Sequence, residues 1–132
     1  MKRLRVPGDK SISHRALMIA ALGNGRSRIR SILRSADVES TAGVLRALGA
    51  NIPSLDADEV VIEGVGLRGL RQPNVSLDCG NSGTTARLMS GIIAALPVEA
   101  ELIGDASLSR RPMGRIARPL TLAKIMDEGL LF

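Results

Sequence analysis

The chain has 132 residues, enough for one domain, and its 45% hydrophobic content supports a packed core. It contains neither an apolar run of the ~20 residues that span a bilayer nor the apolar segment of a secretory signal. Its one cysteine allows no intrachain disulfide. A cytoplasmic protein without membrane contact is therefore expected. The net charge of +5, with most of the basic residues arginine, favours anionic partners. Phe132 is the sole aromatic residue and offers no platform for stacking bases, so single-stranded nucleic acid is not expected as a partner, whereas binding to a duplex backbone stays open.

The first polar turn lies where a predicted strand gives way to a predicted helix. Alternating apolar residues predict a strand over residues 4–6, and a one-sided apolar pattern predicts a helix over about residues 12–22. Lys10, Ser11 and Arg15 therefore gather around the first helical turn, beside free backbone N–H groups and the positive end of the helix dipole. Such a turn suits a phosphate or a carboxylate, the alternative being an ordinary capped helix start with solvated charges.

Residues 4–66 form a first predicted unit with the element order βαβαββ. After the first helix, the predicted elements are a strand over residues 27–32, a helix capped by Asp37 and closed by Gly49, and short strands over residues 50–52 and 59–63. Three glycines and a proline then predict a connecting loop over residues 64–73.

The same order of elements begins again in residues 74–132. The predicted elements are a strand over residues 75–79, a polar turn over 80–85, a helix over 86–96, a strand over 98–102, and a helix from Pro112 with a kink or an early end at Pro119. This arrangement pairs Gly80 with Gly8 and Arg87 with Arg15. No sequence remains for the last two strands, so the chain is expected to be a fragment of something larger.

Three polar turns, each opening a helix, stand out in this pattern. They read PGDKSISHR at residues 7–15, LDCGNSGTTAR at residues 77–87 and GDASLSRRPMGR at residues 104–115. Turns between a strand and a helix are where open α/β structures bind their ligands. These three motifs, in this order, resemble the signatures of the 5-enolpyruvylshikimate-3-phosphate synthase family of the shikimate pathway of aromatic amino-acid biosynthesis. The resemblance covers about residues 4–120.

The resemblance implies a transferase without a metal or an organic cofactor. The family moves the enolpyruvyl group of phosphoenolpyruvate to the 5-hydroxyl of shikimate 3-phosphate and is inhibited by glyphosate. Its fold is the inside-out α/β barrel of the enolpyruvyl transferases, with two lobes of three βαβαββ units each. The chain is therefore expected to hold one full unit and most of a second.

Position by position, the resemblance assigns two sets of substrate-binding residues. The set for shikimate 3-phosphate is Lys10, Ser11 and Arg15. The set for phosphoenolpyruvate is Lys10, Asn81, Gly83, Thr84 and Arg111. Lys10, in both sets, is also the expected catalytic residue. Glycine at position 83 implies that the pocket would admit glyphosate.

The family's principal acidic residue and several further cations come from a later part of its chain. This chain is thus expected to be inactive alone and to associate with itself or with a complementing chain. His14 and Cys79 are interpreted as structural, and residues 121–132 depart from the family pattern. Two alternatives remain open: a non-catalytic module that binds anions or nucleic acid, and a UDP-N-acetylglucosamine enolpyruvyl transferase, which the sequence Asp9-Lys10-Ser11 disfavours.

Overall fold

The computed structural model describes residues 3–126 as a mixed arrangement of helices and short strands. The elements in chain order are α1 (Lys10–Leu22), β1 (Arg26–Arg30), α2 (Ala36–Ala47), β2 (Glu59–Glu63), a 3-10 turn (Leu67–Gly69), β3 (Leu77–Asp78), α3 (Gly83–Ala94), β4 (Leu102–Ile103), α4 (Ala106–Ser109) and α5 (Gly114–Met126). No helix in this part of the chain combines the length and the apolar character needed to cross a membrane.

Two small sheets frame the helices. Strands β1 and β2 pair antiparallel, with Arg26 opposite Glu63 and Arg30 opposite Glu59. Both pairs are joined by ion pairs on the exposed face of the hairpin, while Val60 and Ile62 point into the core. Strands β3 and β4 pair parallel over two residues each.

The core lies between α1, α2, α3 and the buried face of the hairpin. Its fully buried side chains come from all of these elements and include Leu17, Val38, Leu45, Ile62 and Met89. Removing such side chains from water is the main stabilising term, at about 25 cal/mol for each Å² of apolar surface. The same packing fixes the starts of α1, α2 and α3 close to one another.

The strand predictions were the least accurate. Residues 4–6 form no strand, because within the described residues they have no pairing partner, and Leu4 is 91% exposed. Residues 50–52 contribute a single antiparallel bridge from Asn51 to Glu63. The strands predicted over residues 75–79 and 98–102 shrink to the two-residue strands β3 and β4.

The helix predictions were closer, with three corrections. The cap of α2 is Ser35, whose hydroxyl accepts from the Val38 amide, whereas Asp37 lies inside the first turn. Helix α5 continues past Pro119, and the four-residue helix α4 was not predicted. The predicted apolar end of the tail lies in residues 127–132, outside the described residues, and the unit boundaries at residues 66 and 74 stay a prediction.

Candidate functional site

The first polar turn is fixed by its backbone against the end of β1. Asp9 caps α1, with its carboxylate accepting from the Ile12 amide at 2.8 Å. The Ser13 hydroxyl accepts from the Leu33 amide at 2.9 Å. At Gly8, a Cβ would overlap the Ser31 carbonyl and lie 2.9 Å from the Leu33 nitrogen, so only glycine fits this approach. The turn is therefore held in place before its cations are considered.

The polar side chains of this turn face solvent. The Lys10 ammonium pairs with the Asp37 carboxylate at 3.0 Å and keeps 52% of its side chain exposed. The Arg15 guanidinium donates to the Ser11 carbonyl at 3.0 Å, and the Ser11 side chain is exposed. The three residues predicted for shikimate 3-phosphate thus surround the exposed start of α1, where the helix dipole favours an anion.

The second polar turn is built differently, with its side chains turned inward. Gly80 has a φ of +55°, which favours glycine, and its amide donates to the Asp78 carboxylate at 2.8 Å. Ser82 caps α3 by accepting from the Thr85 amide at 3.0 Å. Gly83, the first residue of α3, is buried, and Thr84 is half-buried.

Two guanidinium groups lie over Gly83. A Cβ at this position would lie 2.8 Å from Nη1 of Arg87 and 3.1 Å from Nη1 of Arg111. The sequence prediction named Arg111 but not Arg87, although Arg87 lies one helical turn after Gly83 on the same face of α3. The two guanidinium groups leave a cationic surface beside a backbone with no side chain.

Arg111 is held in this place by a chain of polar contacts. Its Nη2 donates to the Asn81 amide oxygen at 2.8 Å, and the Asn81 Nδ2 donates to both Asp105 carboxylate oxygens at 3.0 and 2.8 Å. Asp105 also caps α4 by accepting from the Leu108 amide at 2.8 Å. Hydrogen bonds from the Leu108 amide and from Asn81 lower the pKa of Asp105, so it is ionised here.

A buried chain of hydrogen bonds links the two turns. His14 Nδ1 lies 2.7 Å from the Thr41 hydroxyl, which lies 2.7 Å from the Thr85 hydroxyl. The Thr85 hydroxyl in turn donates to the Ser82 hydroxyl at 2.7 Å. Burial lowers the pKa of His14; the Asp37 charge raises it in part, and the Lys10 and Arg15 charges lower it further. His14 is therefore neutral and joins three helices.

Asp37 has a role that differs from its prediction, whereas Cys79 agrees with its own. Asp37, interpreted from the sequence as a cap, pairs with Lys10, and this pairing had no local sequence signal because the two residues are 27 positions apart. Cys79 is fully buried, as predicted, and burial, with a smaller contribution from the Asp78 charge, raises the pKa of its thiol to about 11. Such a thiol is a poor nucleophile at neutral pH.

Two further features complete the surroundings. An apolar cleft of about 520 Å³ lies between α3, β4 and α5, with Arg111 at its polar rim. Among residues 3–126, no three of histidine, cysteine, aspartate and glutamate come together as a metal site would require. The guanidinium and ammonium groups of the two turns have the charge and the donors that suit an anionic organic molecule.

Comparisons with known proteins identify the family to which the sequence is similar. A family model described as EPSP synthase (3-phosphoshikimate 1-carboxyvinyltransferase) matches residues 1–126. The 3-phosphoshikimate 1-carboxyvinyltransferase of Sphingopyxis alaskensis is 54% identical over 119 residues, which cover 90% of this chain and 27% of that relative. The protein of the same name from Alkalilimnicola ehrlichii is 50% identical over 128 residues, which cover 96% of this chain and 29% of the relative.

A solved structure gives the same result for the fold. EPSP synthase from Acinetobacter baumannii is similar with a TM-score of 0.87 and 44% sequence identity, over 92% of this chain and 28% of that one. The predicted fold class, that of the α/β enolpyruvyl transferases, is confirmed. The chain spans little more than a quarter of the length of the relatives that it matches.

Proposed function

Because the chain belongs to the EPSP synthase family, we propose that it carries part of the substrate site for enolpyruvyl transfer from phosphoenolpyruvate to shikimate 3-phosphate. The observation that carries the proposal is the gathering of Lys10, Ser11 and Arg15 at the exposed start of α1, tied to the second turn through Asp37. Family membership also favours this reaction over the UDP-sugar alternative.

The first turn would bind shikimate 3-phosphate. A phosphate at the start of α1 would meet the positive end of the helix, the Ser11 hydroxyl and the Arg15 guanidinium. Arg15 now donates to a backbone carbonyl, a neutral acceptor that a phosphate would replace with a charged one. From this turn the Lys10 ammonium pairs with Asp37, whose carbonyl accepts from Thr85 of the second turn, and we propose that Lys10 compensates charge on both anions.

The second turn would bind phosphoenolpyruvate. Gly83 lets an anion approach the backbone closely, and the Arg111 guanidinium, oriented by Asn81, offers a planar pair of donors for a carboxylate or a phosphate. Thr84, beside Gly83, completes the proposed set. Glyphosate, as a small phosphonate with a carboxylate, would compete for the same donors, and Gly83 leaves room for it.

The reaction needs proton transfers that the described residues do not supply. The shikimate hydroxyl oxygen bonds to C2 of phosphoenolpyruvate as its proton leaves, and C3 gains a proton. Phosphate then departs from C2 as C3 loses a proton, which restores the double bond. A general acid and base are required. The nearby carboxylates of Asp37 and Asp105 are already paired with Lys10 and Asn81.

We therefore assign to these residues the binding and charge compensation of the two anions, with Lys10 as the catalytic cation between them. Two phosphates and a carboxylate repel one another, so cations must offset that repulsion before the reacting atoms can meet. The acid and base would come from the portion of the family that this chain does not match. The reaction needs no resident cofactor in this account, and we place the protein in the cytoplasm.

The surface of α1 is consistent with a covering segment or a partner. Leu4, Val6, Ile12 and Ile19 are each more than two thirds exposed, which leaves large apolar side chains in water near the first turn. A complementing chain or self-association would cover this face. Light scattering at high concentration tests this, since a strictly monomeric chain would contradict it.

Calorimetry with shikimate 3-phosphate tests the proposal. The wild-type chain should bind the ligand weakly, and Arg15→Ala should reduce the affinity by about tenfold to a hundredfold, the range for hydrogen bonds to charged groups. Arg26→Ala is the matched control, because it removes the same charge from an exposed ion pair on the hairpin. Unchanged binding in Arg15→Ala, or an equal loss in both variants, would contradict the assignment.

A turnover assay separates binding from catalysis. The chain alone should show no enolpyruvyl transfer, and adding the remaining portion of a family member should restore it. Activity of the chain alone would mean that the acid and base lie among its own residues.

A further inference from the structure

Two series of contacts lead from the first turn to the second turn, and both end at the Thr85 side chain. The Lys10 ammonium pairs with the Asp37 side chain, and the Asp37 carbonyl accepts from the Thr85 hydroxyl at 3.3 Å. The His14 imidazole contacts Thr41, whose hydroxyl lies 2.7 Å from that of Thr85. Thr85 has no exposed surface, so its own hydrogen bonds are shielded from water.

Counting protons gives this network a direction. The Asp37 carbonyl can only accept, so we assign the single Thr85 proton to it or to the neighbouring Ser82 hydroxyl rather than to Thr41. The contact between the two threonines therefore needs the Thr41 proton, which leaves none for His14. The imidazole then carries its proton on Nδ1 and donates to Thr41, while Nε2, which is buried and has no partner among residues 3–126, stays unprotonated.

We propose that Thr85 is a positioning residue for the phosphoenolpyruvate turn, held by a one-way donor chain from His14 through Thr41. This inference rests on the proposed function. Its effect on the ligand is indirect. The Thr85 hydroxyl reaches Ser82, the cap residue of α3 that immediately precedes Gly83. On its other side it is held by residues of α2, one of which pairs with Lys10.

Loss of the Thr85 hydroxyl would leave buried polar groups without hydrogen-bond partners. Without it, the buried Thr41 proton would lose its acceptor and turn to His14 Nδ1, which would move the imidazole proton to Nε2, where no acceptor lies among the described residues. The start of α3 would also lose its buried polar connection to α2, although the fold would keep its apolar core. The second turn would then be free to shift relative to Lys10.

Two substitutions at Thr85 separate the hydroxyl from the volume of the side chain. Thr85→Val keeps the shape and removes the hydroxyl, whereas Thr85→Ser keeps the hydroxyl. With shikimate 3-phosphate saturating, Thr85→Val should weaken phosphoenolpyruvate binding roughly three- to tenfold, the usual value of a neutral hydrogen bond. Thr85→Ser should restore the affinity to within about twofold of wild type.

A control with lower stability distinguishes positioning from general destabilisation. Val60→Ala removes buried volume in β2, away from both turns, and should lower the melting temperature without changing the affinity for either ligand. Equal losses of affinity in Val60→Ala and Thr85→Val would reduce Thr85 to a structural residue and overturn the proposal.

The single histidine provides a second readout. In an imidazole ¹⁵N spectrum every signal from the chain belongs to His14, so no assignment is needed. The wild type should show a neutral ring protonated on Nδ1, and Thr85→Val should move the proton to Nε2. An Nε2–H ring in the wild type would overturn the donor chain.

The outcomes distinguish the inference from the function on which it rests. If the wild-type chain binds neither ligand, the proposed function fails and the role of Thr85 fails with it. If the wild type binds both ligands and Thr85→Val binds phosphoenolpyruvate equally well, the proposed function stands and this inference alone is wrong.

Discussion

The two polar turns that we propose as substrate sites differ in whether side chains or backbone would meet the ligand. Both open a helix and both are capped by a side-chain oxygen, from Asp9 in the first turn and from Ser82 in the second. In the first turn, Lys10, Ser11 and Arg15 are exposed and would bind a ligand with their side chains.

In the second turn the side chains point inward and the ligand would meet a bare backbone. Ser82, Gly83 and Thr85 are buried, and the cations come from Arg87 and Arg111. A site for two anions can thus combine two kinds of helix terminus. One offers long cationic side chains, and the other offers a glycine with guanidinium groups from residues further along the chain. The two glycines show the difference most clearly. A Cβ at Gly8 would meet backbone atoms, whereas a Cβ at Gly83 would meet the ends of two arginine side chains.

Gly8→Ala should have the largest effect, and on the fold. The new Cβ would overlap the Ser31 carbonyl and lie 2.9 Å from the Leu33 nitrogen, and backbone atoms cannot rotate away. We expect the free energy of unfolding to fall by about 2–4 kcal/mol in urea denaturation. Gly43→Ala is the control, because its Cβ would meet nothing within 4 Å in α2. That variant should gain about 0.5–1 kcal/mol. A Gly8→Ala variant as stable as the wild type would show that the first turn is not fixed by backbone contact.

Gly83→Ala should change binding rather than stability. Its Cβ would displace the guanidinium ends of Arg87 and Arg111, which can move without disturbing the core. Calorimetry should show phosphoenolpyruvate bound about tenfold more weakly, and shikimate 3-phosphate bound as before. In Gly91→Ala, on the same helix, the Cβ meets nothing within 4 Å, so both affinities should be kept. Equal losses for both ligands would mean that the two turns are not separate sites.

The smallest expected effect comes from the titration of His14, which should make stability depend on pH over one limited pH range. Its pKa is lowered in the folded chain, mainly by burial, so the unfolded chain binds more protons below pH ~6.5. The free energy of unfolding should therefore fall as the pH drops from ~6.5 towards the lowered pKa, and level off below it.

His14→Gln removes that titration, so its stability should show no slope in this window, whatever its absolute value. Glu59 and Asp105, whose pKa values are lowered, titrate at more acidic pH and so do not contribute to the slope in this window. A wild-type curve that stays parallel to that of the variant as the pH falls below ~6.5 would contradict a buried neutral imidazole.

Helices α1, α2 and α3 and strand β2 could be predicted from the sequence, because the spacing of their apolar residues reflects burial directly. The pattern could not show that, within the described part of the chain, residues 4–6 have no pairing partner and residues 50–52 form only one bridge, since strand formation depends on a neighbour elsewhere in the chain.

Within the site, the ligand residues could be proposed from the motifs, but the residues that orient them could not. Asp37 reaches Lys10 across 27 positions, and Asp105 reaches Asn81 across 24. Thr41 and Thr85, 44 positions apart, look like ordinary helix residues until the fold brings them together. Long-range polar pairs leave no periodic signal.

The most direct test of the account is amide chemical-shift mapping of the ¹⁵N-labelled chain. Shikimate 3-phosphate should move the signals of residues 10–15, and subsequent addition of phosphoenolpyruvate should move those of residues 81–84 and Arg111. The arginine-rich strand β1, of similar charge density but with its cations paired to Glu59 and Glu63, should stay unchanged. Shifts centred on β1, or spread evenly over all exposed arginines, would show that the chain attracts anions by charge alone and would contradict a built substrate site.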